Sequence, residues 1–178
     1  MVHFGLSVLE ARLSEILQNQ SVHPLLNALK NLIKNFEGEI QHDWQRFLEI
    51  SLQLKESSPP TVITHGDAPG NILVTSPEEI FIIDWDDIVL APPERDLWFL
   101  HDNPDFIEGY QEIYPEYQPL ELARQFYVYS RYFADMVEYF DEILGDYSEA
   151  HMQNNFNALK QSCFDKWLRP IIRSFDSM

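Results

Sequence analysis

The stretch that decides the fold is residues 62–100, which read VITHGDAPGNILVTSPEEIFIIDWDDIVLAPPERDLWFL. Its apolar runs are too short for helices and are separated by Gly, Pro and Asn, a pattern typical of strands joined by turns. A histidine, an asparagine and several carboxylates lie between these runs, where they cannot simply form the solvated face of a helix. We therefore predict that this stretch forms a site for a metal ion and phosphate groups.

Residues 61–64 are short and β-branched and predict a strand, and two further strand-like runs, residues 71–75 and 80–84, predict a β-hairpin. The expected midpoint of its turn, just after Pro77, places Asn71 directly opposite Asp84. Directly opposed residues of an antiparallel pair hold their Cβ atoms about 4.5–5.5 Å apart on one face. The sequence thus predicts that two oxygen-bearing side chains meet at the open end of the hairpin.

The residues before this stretch show helical periodicity. Apolar residues at helical spacing predict amphipathic helices over 4–19 and 22–36, and a third helix over 40–52 after a break at Gly38. The Ser-Ser-Pro-Pro sequence at 57–60 ends helical structure, because proline donates no backbone hydrogen bond.

Helical periodicity resumes after Ala91-Pro92-Pro93, which is predicted to be a loop. The pattern predicts short helices over 94–100 and 106–113, a long helix from near Pro119 to Gly145, and a last helix capped by Ser148.

The two long C-terminal helices are predicted to be amphipathic. Their expected buried positions are Phe126, Tyr129, Phe133, Met136, Val137, Phe140 and Leu144 in the first, and Met152, Phe156, Leu159, Cys163 and Trp167 in the second. The opposite face of the first carries Asp135, Glu138 and Glu142. Because Arg124 and Arg131 share that face, a solvated surface is favoured over a site for a cationic substrate.

Composition limits the class of protein. The 178 residues suit one domain, and 12 basic against 29 acidic residues give a net charge of −17, which disfavours binding to nucleic acid and to acidic membrane surfaces. No apolar run approaches the ~18 residues of a membrane span, and no secretory leader pattern opens the chain. The single Cys163 is expected to be a core residue. These features predict a soluble, cytoplasmic protein.

The polar residues of the central stretch match the needs of phosphoryl transfer. That reaction requires a carboxylate to orient the attacking hydroxyl and oxygen ligands to hold Mg²⁺ on the phosphates of a nucleotide. Asp67 supplies the carboxylate, and Asn71 with Asp84 supplies an amide oxygen and a second carboxylate. Asp86 is either a further metal ligand or a solvated loop acid, and Asp87 fits the loop acid better.

The same residues fit a purely structural turn, a zinc site or a phosphoesterase less well. Taken alone, the sequence HGDAPGN at 65–71 is equally well explained as a tight turn, but the carboxylates that follow it favour a site. The histidines at 65, 101 and 151 lack the spacing of zinc ligands, so a zinc site is rejected. A dinuclear phosphoesterase would need further histidine ligands around two metals, and none stands out.

These motifs resemble a known family. His65-Gly66-Asp67 followed by Asn71, and then Asp84-Trp85-Asp86, resemble the catalytic loop and metal motif of the aminoglycoside phosphotransferase and choline kinase-like family, which is related to the protein kinases. The resemblance covers residues 62–100, and the segments 84–87 and 94–97 look closest to the spectinomycin branch.

The resemblance implies a role for each residue. Asp67 is the catalytic base, Asn71 and Asp84 bind Mg²⁺, and Asp96 and His65 support the catalytic loop. ATP or GTP is the implied phosphate donor, and the implied acceptor is a small-molecule alcohol, with a cationic one among the options.

Two departures from the family pattern matter. Only three residues separate Asp67 from Asn71, which makes the loop one residue shorter than usual and puts the geometry of Asp67 in question. In addition, the helices of residues 4–52 stand where family members carry a β-rich nucleotide-binding lobe.

We therefore predict a mainly helical α+β fold that corresponds to the C-terminal lobe of a kinase-like protein. Within this single lobe, residues 1–58 are predicted to form leading helices, residues 61–87 the catalytic loop and metal hairpin, and residues 93–178 a helical subdomain. The predicted function is phosphate transfer to a small-molecule hydroxyl, with a homo-oligomer or a partner chain supplying the missing lobe. The alternative is a non-catalytic binding or interaction module derived from such an enzyme.

Overall fold

The computed structural model describes residues 6–76 and 79–176, with side chains from Val8 onward. The expected helix start at Phe4 and the expected hairpin turn at Pro77 and Glu78 lie outside these residues. In chain order the elements are α1 (Leu6–Gln18), α2 (Pro24–Ser57), β1 (Val62–Thr64), a 3-10 turn (Pro69–Asn71), β2 (Ile72–Ser76), β3 (Glu79–Ile82), β4 (Val89–Ala91), α3 (Glu94–Leu97), α4 (Pro104–Ile113), α5 (Glu121–Leu144), α6 (Glu149–Leu159), a π-helical turn (Lys160–Asp165) and α7 (Leu168–Phe175). The predicted α+β class, mainly helical, is confirmed.

The chain divides into two compact units. The first comprises residues 1–48 and 129–178, and the second comprises residues 49–128. The predicted division of a single lobe into leading helices, catalytic hairpin and helical subdomain stays a prediction.

The predicted helix break at Gly38 is wrong, because α2 continues through this residue. Ile33 and Ile40, on either side of the glycine, are both buried and continue one apolar stripe. A glycine inside a helix costs about 1 kcal/mol relative to alanine, whereas burying one large aliphatic side chain contributes about 1.5–3 kcal/mol. Burial along the stripe therefore outweighs the local preference of Gly38 to end the helix.

The core of the first unit is rich in aromatic residues from α5. Tyr129, Phe133 and Phe140 are buried as predicted. The indole of Trp44 meets the ring of Phe133 edge-on, with centroids 4.8 Å apart. Edge-to-face pairs at this distance add about 0.5–1.5 kcal/mol to the stabilisation from burial alone.

The polar face predicted for α5 is only partly solvated. Asp135 is 8% exposed and Arg124 is 5% exposed, so both predictions of a solvated side chain are wrong. Each residue has a charged partner that makes its burial tolerable: Arg131 binds Asp135 at 2.6 Å, and Arg124 binds Asp102 at 2.9 Å. Burial of Arg124 cannot be read from helical periodicity alone, since Asp102 lies outside α5 and pairs with the guanidinium in addition to Glu121 of the same helix.

The C-terminal helices follow the prediction in part. The Ser148 hydroxyl accepts a hydrogen bond from the His151 amide and caps α6, as expected, and Cys163 is fully buried, also as expected. Trp167 was predicted to be buried but is 71% exposed. The π-helical turn rotates the residues that follow it, so the helical stripe drawn from Met152 does not extend to Trp167.

The second unit contains two antiparallel strand pairs. The predicted strand β1 pairs with β4, a strand that was not predicted, and Ala91 belongs to β4 rather than to the expected loop. The hydroxyl of Thr64, at the end of β1, donates to the Val89 carbonyl at 3.0 Å. This pairing fixes the point at which β1 ends and the polar turn begins.

The predicted hairpin is formed by β2 and β3, but its register differs from the prediction by one residue. Leu73 pairs with Phe81, and an irregularity between Val74 and Ser76 shifts the register near the turn. Both faces of this hairpin expose large apolar side chains, Val74 at 65% among them.

None of the helices within residues 6–76 and 79–176 combines the length and the apolar character that a membrane span requires.

Candidate active site

The polar turn after β1 is held in a sharp bend by Gly66. This glycine has a φ of 91°, a conformation that residues with a side chain rarely adopt. The bend carries the chain from the buried Thr64 and His65 to Asp67, which is exposed to solvent. The predicted catalytic carboxylate is therefore presented to solvent at the end of a fixed turn.

Asp96 holds this turn through its backbone. One oxygen of its carboxylate accepts a hydrogen bond from the His65 amide at 2.8 Å, and the other accepts from the Gly66 amide at 2.6 Å. Hydrogen bonds to a charged acceptor are stronger than those between neutral groups. Asp96 thus makes the bracing contact that the family resemblance implies, although its functional role stays a prediction.

The ring of His65 links the turn to the end of the hairpin. Its Nδ1 accepts a hydrogen bond from the Asp67 amide at 3.2 Å, and its Nε2 lies 2.8 Å from the Ile83 carbonyl oxygen. An imidazole that accepts at Nδ1 and donates at Nε2 is the Nε2–H tautomer. The buried ring therefore spans the distance between the backbone at Asp67 and the residue before Asp84.

Asn71 closes the shortened loop. Residues 69–71 form a 3-10 turn, and the Asn71 side-chain amide donates to the Asp67 carbonyl at 2.8 Å. Because the Nδ2 group makes this bond, the Oδ1 atom is the end of the side chain that can bind a cation. The loop with one residue fewer thus still ties Asn71 to Asp67.

The predicted pairing of Asn71 with Asp84 is wrong. The Ile83 amide donates to the Asn71 carbonyl at 3.0 Å, so Asn71 faces Ile83. The irregularity near Thr75 shifts the strands by one residue, and β3 ends at Ile82. Asp84 then adopts a φ of 63°, which takes it out of the extended conformation that cross-strand pairing requires. Such left-handed residues are often found at functional sites.

The residues predicted to hold Mg²⁺ offer oxygen atoms next to the polar turn. Asp84 and Asp86 are exposed, and Asn71 is half-buried with its amide oxygen available. Within residues 6–76 and 79–176, no three His, Cys, Asp or Glu side chains form a group that could hold a metal ion. This is compatible with Mg²⁺, which commonly uses one or two carboxylates and takes its other ligands from water and phosphates.

Two residues that contact the turn were not predicted from the sequence. The indole of Trp85 meets the His65 ring, with centroids 4.8 Å apart, and donates to the Ile82 carbonyl at 2.7 Å. The guanidinium of Arg95 donates to the Thr64 hydroxyl at 3.0 Å. In the sequence, only their positions next to Asp84 and Asp96 could have pointed to these two residues. A tryptophan and an arginine are neither ligands for Mg²⁺ nor catalytic bases, so their residue types gave no indication.

Comparison with known proteins places these features in a family. Two solved structures share the fold, and both are of spectinomycin phosphotransferase APH(9)-Ia: one is in complex with ADP and spectinomycin (TM-score 0.71, 24% identity) and the other is an AMP-bound complex (TM-score 0.67, 26% identity). The fold is thus that of part of a kinase-like phosphotransferase. A search among curated proteins gave no significant match.

The sequence profile of the phosphotransferase enzyme family (APH) matches residues 11–123, more than half of the chain. The chain belongs to this family. The two alignments cover 96% and 94% of this chain but only 55% and 54% of the APH(9)-Ia chains. The chain therefore spans about half the length of the solved structures that it matches.

Proposed function

We propose that the chain forms the catalytic lobe of a small-molecule phosphotransferase, which transfers the γ-phosphate of ATP or GTP to the hydroxyl of an alcohol. The observation that carries this proposal is the pair of hydrogen bonds from the His65 and Gly66 amides to Asp96. These bonds fix the turn that presents Asp67, in a chain that belongs to the phosphotransferase enzyme family.

In the proposed reaction, Asp67 orients the acceptor hydroxyl and takes its proton. The hydroxyl oxygen forms a bond to the γ-phosphorus as the bond from that phosphorus to the bridging oxygen of the nucleotide breaks. The protein supplies position and charge rather than a covalent intermediate. A turn held at its amides and at the His65 ring suits this task, because positioning contributes much of the catalysis in such reactions.

Asn71 and Asp84 would hold Mg²⁺, with Asp86 as a further oxygen donor. When bound, the ion would neutralise negative charge on the phosphates. The left-handed backbone at Asp84 supports this assignment, since such conformations are often found at functional sites.

We propose a cationic alcohol as the acceptor. The net charge of −17 favours an amine-bearing substrate, and the APH(9)-Ia structure solved with ADP also contains spectinomycin. The strands that expose apolar residues on both faces would be covered by the β-rich nucleotide lobe of a partner chain, or by a further copy of this chain. A cytoplasmic location fits a chain with a single, buried cysteine.

Calorimetric titration with Mg·ATP and Mg·GTP tests this proposal. Replacing Asp84 by alanine should weaken the affinity for the magnesium nucleotide by about tenfold or more, because it removes a metal ligand. Asp87→Ala is the matched control, since it removes an exposed carboxylate of the same loop that is outside the proposed ligand set. Equal affinity in wild type and Asp84→Ala would refute the metal assignment, and nucleotide binding without phosphate transfer would favour the non-catalytic module.

A further inference from the structure

The side chain of Arg95 lies against the turn that precedes Asp67. Its Nη1 atom is 3.0 Å from the Thr64 hydroxyl and 3.4 Å from the Thr64 carbonyl oxygen. The neighbouring residue, Asp96, accepts hydrogen bonds from the His65 and Gly66 amides, which follow Thr64 in the chain. Adjacent side chains of the one-turn helix α3 thus hold opposite sides of the same short segment.

The hydrogen bond to Thr64 is part of a relay that joins three elements. Because the Thr64 hydroxyl donates its only proton to the Val89 carbonyl, it must accept the bond from Arg95. The relay runs from α3 through the last residue of β1 to β4. Thr64 is 1% exposed, so water competes little for these bonds.

Gly66 leaves the space that the Arg95 guanidinium fills. A Cβ atom built on Gly66 would lie only 2.1–2.5 Å from the three guanidinium atoms nearest to it. The guanidinium therefore packs directly on the backbone of Gly66, where any side chain would collide with it. The φ of 91° favours glycine at this position, and the absence of a side chain there lets the guanidinium pack against the backbone.

We propose that Arg95 is a positioning residue for the catalytic carboxylate: it packs on Gly66 and binds Thr64, and thereby fixes the turn that presents Asp67. This inference rests on the proposed function for its catalytic consequence. Asp96 accepts hydrogen bonds from two backbone amides of the turn. Arg95 donates to the carbonyl and the hydroxyl of Thr64, at the start of the same turn. The planar guanidinium is needed for this role, since an ammonium group would supply charge without the flat surface that packs on Gly66.

Amide hydrogen exchange measures the positioning directly. In Arg95→Gln, the backbone amides of residues 65–67 should exchange faster than in wild type, while those of α5 are unchanged. Arg95→Lys should also exchange faster. Arg12→Gln is the control, because it removes a partly exposed arginine that pairs with Glu15 and Asp141. Exchange at wild-type rates in Arg95→Gln would overturn the proposal.

Steady-state kinetics separate positioning from general stability. Arg95→Gln should lower kcat while leaving KM for the acceptor within about twofold, because the residue acts on the reacting carboxylate and not on substrate binding. Arg95→Lys should recover little of this loss. Full recovery with lysine would show that only the positive charge matters and would contradict the packing role.

A double-mutant cycle tests the packing on Gly66. Gly66→Ala imposes the same backbone strain whether or not Arg95 is present, so the strain cancels in the cycle and the steric clash remains. The effect of Gly66→Ala on the unfolding equilibrium constant should be at least about twofold smaller in the Arg95→Ala background. Strict additivity would contradict the packing contact.

The exchange and unfolding measurements do not depend on turnover. If the wild type transfers no phosphate, the proposed function fails, while these two measurements still decide whether Arg95 fixes the turn. If phosphate transfer is intact in Arg95→Gln, the catalytic part of the inference fails and the proposed function stands.

Discussion

The indole of Trp85 and the imidazole of His65 pack edge to face, with ring centroids 4.8 Å apart and planes inclined at 63°. This contact joins the residue after Asp84 to the residue before Gly66. The proposed metal ligand and the turn that presents Asp67 are therefore connected by two packed rings, which should move together when either segment is disturbed.

Removing the Trp85 ring should loosen this connection. We expect Trp85→Ala to reduce the free energy of unfolding by at least about 1 kcal/mol, because it removes the aromatic pair, which adds about 0.5–1.5 kcal/mol, together with the burial of a half-exposed indole. Trp85→Phe should lose less, since it keeps a ring beside His65. Chemical denaturation is the measurement. The control is Trp167→Ala at a highly exposed site, where a change within about 0.5 kcal/mol is expected.

Asp96 should be sensitive even to an isosteric change. In Asp96→Asn, one acceptor oxygen is replaced by an NH2 group that faces a backbone amide, so one of the two bonds to His65 and Gly66 is lost. Leaving a buried donor unpaired costs about 1–3 kcal/mol, and we expect a decrease of that size in the free energy of unfolding. Asp87→Asn in the exposed loop should have little effect. Equal stability of the two variants would show that the bonds to Asp96 contribute nothing.

The thiol of Cys163 should be inert in the folded protein. Burial raises its pKa from about 9 to about 12, so little thiolate is present at neutral pH. We expect slow alkylation at pH 8 that becomes fast in denaturant. Rapid alkylation in the native state would contradict the burial.

The same thiol should make stability depend on pH. A group whose neutral form is favoured by folding, so that its pKa is raised, contributes stability that is lost as the pH rises from its unfolded pKa towards 12. The free energy of unfolding of wild type should thus fall between about pH 9 and 12 by more than that of Cys163→Ala. An equal fall in the two proteins would contradict this prediction.

Much of the fold follows from local patterns in the sequence. The helical periodicity around Tyr129 and Phe133, the serine cap at Ser148 and the helix end at Gly145 depend on residues within a few positions of one another. The strand-turn composition of the central stretch likewise indicated β1, β2 and β3. The candidate residues of the turn were found because their chemical types are characteristic.

The errors arose where distant residues decide the outcome. Burial of the helix stripe keeps α2 intact through Gly38, and β4 exists because β1 provides a partner. The hairpin register depends on an irregularity near Thr75, which a symmetric turn cannot anticipate, and it separates Asn71 from direct pairing with Asp84. Arg95 could not be identified from sequence, because its role depends on the space that Gly66 leaves.

The most direct test of the proposed function is phosphate transfer by wild type and Asp67→Asn. The assay uses radiolabelled ATP and GTP with a panel of amino alcohols, on the protein in the assembly in which it occurs. We predict that Asp67→Asn lowers kcat by about 100-fold or more, because a general base contributes at least that factor, while affinity for Mg·ATP and the unfolding midpoint stay as in wild type. Transfer at the wild-type rate by Asp67→Asn would contradict the assignment of Asp67 as the catalytic base.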